Sequence, residues 1–386
     1  MTSRKSYKLK RFLVYHKLAI FAIAAFVALS FFVSSTSVSS VYETENGGSP
    51  HEPPPPEHIK TPSAVRAIYM SSWVAGTPTI REKVLDFVNS SEANSVIIDI
   101  KDYTGKIAFA VDDPVLNKYE SVEKRIRDIR ELIDYLHGQH IYIIGRVAVF
   151  QDPHMAKKLP ALAVQNKNGG IWRDRKGLAF IDPGAKEYWD YTVRVARVSE
   201  KVGFDEINFD YIRYPSDGQL ALATYPHTGA RLKPDVMEEF FKYLRSELST
   251  LGVPISADIF GLATSADDDL GIGQVLERIV PHFDYISPMT YPSHYDPGFE
   301  GIKNPVAHPY EVMSLSVTRA IERMRAIGQD PKKLRPWIQD FDLGANYGVV
   351  EVKAQKKAIY DSGLDSWMAW DPSNKYTQEA YRPKSQ

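Results

Sequence analysis

The sequence predicts an α/β chain folded as a (β/α)8 TIM barrel, preceded by an N-terminal hydrophobic signal or anchor helix and a Pro-rich linker. Three observations predict it. Eight short β-rich runs alternate with helix-like stretches between residues 64 and 376, the signature of parallel βα units. A stretch of roughly 310 residues is too long for most single folds other than barrels and large α/β sheets. A doubly wound sheet usually carries a Gly-rich phosphate loop, and neither G-x-G-x-x-G nor G-x-x-x-x-G-K-[ST] occurs.

The N-terminal part comes first in the chain. Residues 1–40 hold Arg4, Lys5, Lys8, Lys10, Arg11 and Lys17 and no acid. Within them, residues 18–33 (LAIFAIAAFVALSFFV) run sixteen positions without a charge, just short of the usual span of about 20, and Ser-rich SSTSVSS follows. The basic flank should stay cytoplasmic, so the segment reads as an export signal. No A-x-A site lies in residues 34–40, which favours an uncleaved transmembrane anchor with the domain held outside the cytoplasm; cleavage there would secrete it instead. Residues 41–63 (VYETENGGSPHEPPPPEHIKTPS) have no hydrophobic period and read as an extended spacer. Residues 64–376 form the barrel, and 377–386 a polar C-terminal tail.

Strands are predicted at residues 65–70, 95–100, 141–149, 206–211, 254–260, 283–289, 334–340 and 365–370, and helices at 80–90, 122–138, 186–202, 233–251, 272–279, 310–327 and 349–362. Side chains alternate faces along a strand. In the fourth strand Ile207 and Phe209 share one face, and Glu206, Asn208 and Asp210 the other. In the second, Ile98 and Ile100 oppose Asp99 and Lys101; in the fifth, Ala257 and Ile259 oppose Ser256 and Asp258. A barrel strand is apolar on its helix-facing side, so the polar parity should point inward. Lys101 and Arg146 could serve structural salt bridges there, but that does not explain carboxylates at the C-terminal strand ends, where barrel enzymes place their chemistry.

Composition narrows that chemistry. The 386 residues include 48 acids, 47 Lys/Arg, 44% apolar and 12% aromatic residues and no Cys. Disulfides, thiol nucleophiles and Cys-ligated metals are therefore excluded. Past residue 40 the balance is 41 basic to 48 acidic residues, a poor profile for binding nucleic acid. The ten His include no H-x-H or H-E-x-x-H, His137 and His140 precede a strand at the wrong barrel face, and no G-x-S-x-G elbow occurs. Asp267, Asp268 and Asp269 read as a solvated helix N-terminus rather than a calcium site. No metal or cofactor is expected.

What remains is carboxylate chemistry. In GFDEINFDYIRYP, Asp210 ends the fourth strand, with Asn208 on the same face to orient it and Arg213 three residues on to hold it ionised. The neighbouring strand contributes Asp258 near its end. Adjacent strands lie about 4.7–4.9 Å apart, which brings two strand-end carboxyls within the roughly 5–9.5 Å used to cleave glycosidic bonds. Asp99, Gln339 and Asp340 also sit at strand ends, while Tyr211, Tyr214, Tyr291, Trp172 and Trp370 lie at strand ends or in loops, where sugar faces pack on rings. Asp102, Asp342, Asp371, His154 and His294 are weaker candidates.

The segments VIIDIKDYTGKIAF, INFDYIRYPSDG, ISADIFGL, DYISPMTYPSHY and SWMAWDPSNKY, in this order over residues 64–376, resemble the "putative glycoside hydrolase domain" family, a TIM-barrel family distantly like the α-amylases. The resemblance implies Asp210 as the fourth-strand catalytic carboxylate acting as nucleophile and Asp258 as acid/base. The sequence departs from the amylase pattern at Asn208, where an Arg is expected, at Asp258 in place of Glu, and at Gln339–Asp340 in place of a His–Asp pair, so an inverting route stays open. The expectation is a monomeric glycosidase acting on an envelope or extracellular polysaccharide; the alternative is a non-catalytic barrel that binds glycan for envelope organisation.

Overall fold

The computed structural model describes residues 56–383. Eight parallel strands close into a barrel: β1 (Arg66–Met70), β2 (Ser95–Lys101), β3 (Tyr142–Ala148), β4 (Glu206–Asp210), β5 (Ile255–Phe260), β6 (Tyr285–Met289), β7 (Trp337–Gln339) and β8 (Trp367–Trp370). Each pairs with the next and β8 returns to β1. All eight coincide with predicted strands, trimmed by one to three residues at most ends. The principal crossover helices are α1 (Pro78–Ser90), α2 (Ile129–Gly138), α3 (Lys186–Val202), α4 (Lys233–Glu247), α5 (Leu276–Ile279), α6 (Pro309–Ala326) and α7 (Val349–Asp361). The stretch predicted as a helix at 272–279 is reduced to the four residues of α5, because Gly271 and Gly273 adopt left-handed backbone and delay its start.

The core has two layers. Ile98, Val147, Ile207, Phe209, Ala257 and Ile259 face the helices, while Ile97, Tyr142, Ile144, Trp337 and Met368 fill the lumen. At the N-terminal end, Glu206 accepts hydrogen bonds from Tyr142 (2.9 Å) and Arg335 (2.7 Å), and Ile59 packs against the lumen cluster. Glu206 is thus structural, and residues 56–63 of the expected spacer lie against the barrel floor.

Two expectations change. Lys101 does not point into the lumen: a bulge between Asp99 and Lys101 pairs Asp99 with Arg146 but Lys101 with Val147. The extra residue moves Lys101 to the helix-facing side, where its ammonium meets Asp152 (2.8 Å) and Tyr188 (3.1 Å). Residues 377–383, expected as tail, pack on the barrel, because Asp340 accepts hydrogen bonds from Thr377 (2.6 Å) and Tyr381 (2.8 Å). The predicted anchor at 18–33 lies outside the described residues; among those described, no helix is long and apolar enough to cross a membrane.

Candidate active site

The C-terminal ends of β2 to β5 converge on one guanidinium. Asp99, Arg146 and Asn208 share a level across β2, β3 and β4, as Asn208 and Ser256 do across β4 and β5. Asp210 and Asp258, two residues further along register-paired strands, therefore stand side by side. Arg146 donates to Asp99 at 2.7 Å and to Asp210, and its Nε lies 3.5 Å from Asp258 Oδ2. Two carboxyls on one guanidinium are no further apart than the roughly 9.5 Å upper limit for glycoside cleavage. Arg146 takes the place beside Asp210 expected of Arg213, which makes no ion pair with Asp210: Arg213 lies beyond the strand end, packed between the rings of Tyr211 and Phe260.

Asp258 is 1% exposed. Its Oδ1 accepts from Asn208 Nδ2 (3.0 Å) and Trp337 Nε1 (2.9 Å), and its Oδ2 has no hydrogen-bond partner. Burial, and next the charge of Asp210, push its carboxyl up to about 8. Such a carboxyl holds its proton at neutral pH. Asn208 orients Asp258, the carboxyl on the neighbouring strand, rather than Asp210. Burial also raises Asp99, which accepts from Tyr69 Oη at 2.6 Å and stands behind Arg146.

A cavity of about 500 Å³ opens over the pair, lined among others by Tyr211, Arg213, Tyr291, Trp337 and Trp370. Tyr211 has a positive φ of 51°, an uncommon conformation for a bulky residue; it directly follows Asp210. A second hollow of about 410 Å³ shares Arg146, Tyr211 and Trp370 and extends to Trp73, Tyr103, Asp99 and Asp102. The first is thus a groove over both carboxyls, and the second borders it through three shared residues.

Several predicted site residues lie elsewhere. Trp172 is 1% exposed, packed with Val164 and Phe180, its indole donating to Gln219 O; the loop containing it folds into a small core of its own. Tyr214 is buried and bonded to Thr228 (2.6 Å). Gln339 is buried, bonded to Ser293 N and Phe341 O, and Asp340 holds the C-terminal segment. Asp342 and Asp371 satisfy loop N–H groups, as do Asp268 and Asp269. Asp102 pairs with Arg125 (2.6 Å) at the groove's edge and His154 with Tyr119 O, whereas His294 does line the cavity. Among the described residues no group of three or more His, Asp or Glu could hold a metal ion.

Unforeseen lining residues are Trp337, Met289, Phe260, Tyr295, Lys176, Trp73 and Tyr103. Alternation in YIIGRVA, with Tyr142, Ile144 and Arg146 on one parity, carried a signal for Arg146; Trp73 and Tyr103 follow strands, a weaker signal.

A closed eight-stranded parallel barrel with buried carboxyls towards its C-terminal strand ends has the build of the (β/α)8 enzymes. The chain belongs to the family described as "putative glycosyl hydrolase domain", whose model matches residues 67–376. A hypothetical protein from Ruminiclostridium thermocellum is 32% identical over 53% of this chain and 98% of its own, with a TM-score of 0.46. The glycoside hydrolase domain of PgaB (BpsB) from Bordetella bronchiseptica is 13% identical, covering 83% of this chain and 100% of its own at a TM-score of 0.56. Alpha-L-fucosidase isoenzyme 2 from Paenibacillus thiaminolyticus is 11% identical over 82% of this chain and 48% of its own, at 0.58. These last two likenesses show the fold. No curated protein matches the sequence.

Proposed function

We propose that the protein hydrolyses glycosidic bonds of an extracytoplasmic polysaccharide, with Asp258 as general acid and Asp210 as nucleophile or stabiliser of the oxocarbenium-like centre. The observation that carries this reading is the unequal pair: Asp258 is buried with its carboxyl lifted to about 8, beside Asp210, which engages the Arg146 guanidinium. Carboxyls whose environments are driven apart are how one site holds an acid and a carboxylate together at neutral pH. A sugar chain lying in the groove presents its glycosidic oxygen to Asp258, which gives up its proton as the C–O bond breaks. Asp210 meets the anomeric carbon from the neighbouring strand. Water then supplies the hydroxyl of the new reducing end, and its proton returns to Asp258.

Register-paired strands about 4.7–4.9 Å apart favour the close carboxyl spacing of about 5–5.5 Å that goes with retention of configuration. The basic flank and apolar run of residues 1–33 support a place outside the cytoplasm, anchored or secreted. Asp210→Asn and Asp258→Asn should each lower reducing-end release by about 10²-fold or more, with the circular dichroism of the folded barrel retained. Full activity in both overturns the reading; binding without cleavage in the wild type replaces it with a glycan-binding barrel.

A further inference from the structure

Arg213 is a buried cation that no carboxylate contacts among the described residues. It is 9% exposed, and its hydrogen bonds come from Nη1 alone, to Tyr214 O (3.0 Å) and Ser216 Oγ (3.1 Å). The rings of Tyr211 and Phe260 lie 5.2 and 4.5 Å from the guanidinium carbon and hold its plane in place. Among the described residues no carboxylate pairs with it: Asp99, Asp210 and Asp258 gather on Arg146 instead. Asp210, Asp217 and Asp174 act on it only through space. Burying a guanidinium without a counterion is costly, and the Nε–Nη2 edge is the fork that grips a carboxylate with two parallel hydrogen bonds. Lys176, exposed and lining the same cavity, likewise makes no ion pair among the described residues.

We propose that this end of the cavity is a subsite for a uronic acid residue, its carboxylate taken by the Nε–Nη2 edge of Arg213 with Lys176 as a second cation. The inference rests on the glycan reading of the groove and sharpens it: the polysaccharide is acidic. A planar carboxylate fits a planar fork, whereas a neutral sugar leaves both cations without a partner in a site from which it displaces water.

The test pairs each uronate oligosaccharide of a panel (galacturonate, glucuronate, hyaluronan and alginate fragments) with its carboxyl-reduced neutral counterpart, and adds a sulfated fragment. Binding to the full-length wild-type protein is measured by calorimetry, and cleavage by reducing-end release. The expected result is at least one uronate bound about 10-fold or more tighter than its reduced form, as for hydrogen bonds to charged groups. That ratio should shrink in salt, fall in Lys176→Ala, and approach unity in Arg213→Gln. Arg213→Lys, with charge but no fork, should lie between. Lys176 is on an exposed turn, so its variant folds whatever Arg213 does to the loop. Equal binding within every pair overturns the proposal, as does a preference for sulfate alone or a uronate preference that survives Arg213→Gln in folded protein. Preference without cleavage removes the hydrolase and leaves the subsite; cleavage without preference does the reverse.

Discussion

Replacing Asp210 by Asn should move the titration of Asp258, and the structure gives the size of the effect. Two causes raise the Asp258 carboxyl to about 8: burial first, then the negative charge of Asp210. The two side chains project from register-paired neighbouring strands, so their charges are about 5 Å apart. At an effective dielectric of about 20, that repulsion is worth roughly 3 kcal/mol, or on the order of two pH units. Asn removes the charge at nearly constant volume and releases Arg146 from one carboxylate, leaving its guanidinium more available to Asp258. Both changes ease ionisation, so the midpoint falls by about two units. Burial persists, so it should remain above the ordinary Asp value of 3.8. The assay is carbon-13 NMR of aspartate carboxyls in full-length protein, with Asp258→Asn identifying the resonance by its loss. A midpoint that stays near 8 in Asp210→Asn refutes the coupling of the pair, and with it the division of acid and carboxylate between them.

The wild-type pH–rate profile should fall on its alkaline side near pH 8, as Asp258 loses the proton it donates; a rate flat through pH 9 contradicts the acid role. The same carboxyl links stability to pH. Its folded value lies above its unfolded one, so its contribution is complete below about pH 4 and is lost as pH rises towards 8. The melting-temperature difference between pH 5 and 8 should therefore be smaller in Asp258→Asn than in the wild type. Arg146→Gln leaves Asp99 and Asp210 without their buried partner and should cost about 3–5 kcal/mol in urea unfolding. Gly145→Ala places a Cβ 2.2 Å from Ile100 Cδ1 and 2.8 Å from Phe204 Cδ1, an overpacking of about 1–3 kcal/mol by the same measurement. Trp73, 51% exposed with Arg125 against its ring at 4.3 Å, should leave stability within about 0.5 kcal/mol when changed to Ala, while weakening binding of long oligosaccharides more than short ones.

The barrel was legible because period-two alternation and parallel βα order are local signals that survive averaging over 310 residues of family match. The side-by-side placement of Asp210 and Asp258 was legible for the same reason: each lies on the polar parity in the C-terminal half of its strand. The errors fall where one residue's position depends on another element. Lys101 carries the right parity and faces outward, since the bulge at Ile100 adds a residue to β2 that no periodicity in β2 alone reveals. Trp172 is in a loop and still buried, because a two-residue pairing of Gln165–Asn166 with Ala223–Thr224 closes a small core beneath it.

Arg213 is the instructive case. Three residues after Asp210 it looked like that carboxylate's partner, yet chain proximity says little about side-chain direction once the strand has ended. Tyr211 takes a positive φ immediately after β4 and redirects the chain, so Arg213 stacks across Tyr211 and Phe260. Arg146, 64 positions from Asp210 in sequence, is brought to it by the β3–β4 register. The exchange matters for function. Had Arg213 paired with Asp210, Lys176 on its exposed turn would have been the one unpaired cation among the described lining residues. With Arg146 engaging the carboxylates from below, the charge beyond the strand end stays unpaired, so the proposed uronate preference and the proposed bond cleavage would rest on two different arginines and be separable by mutation.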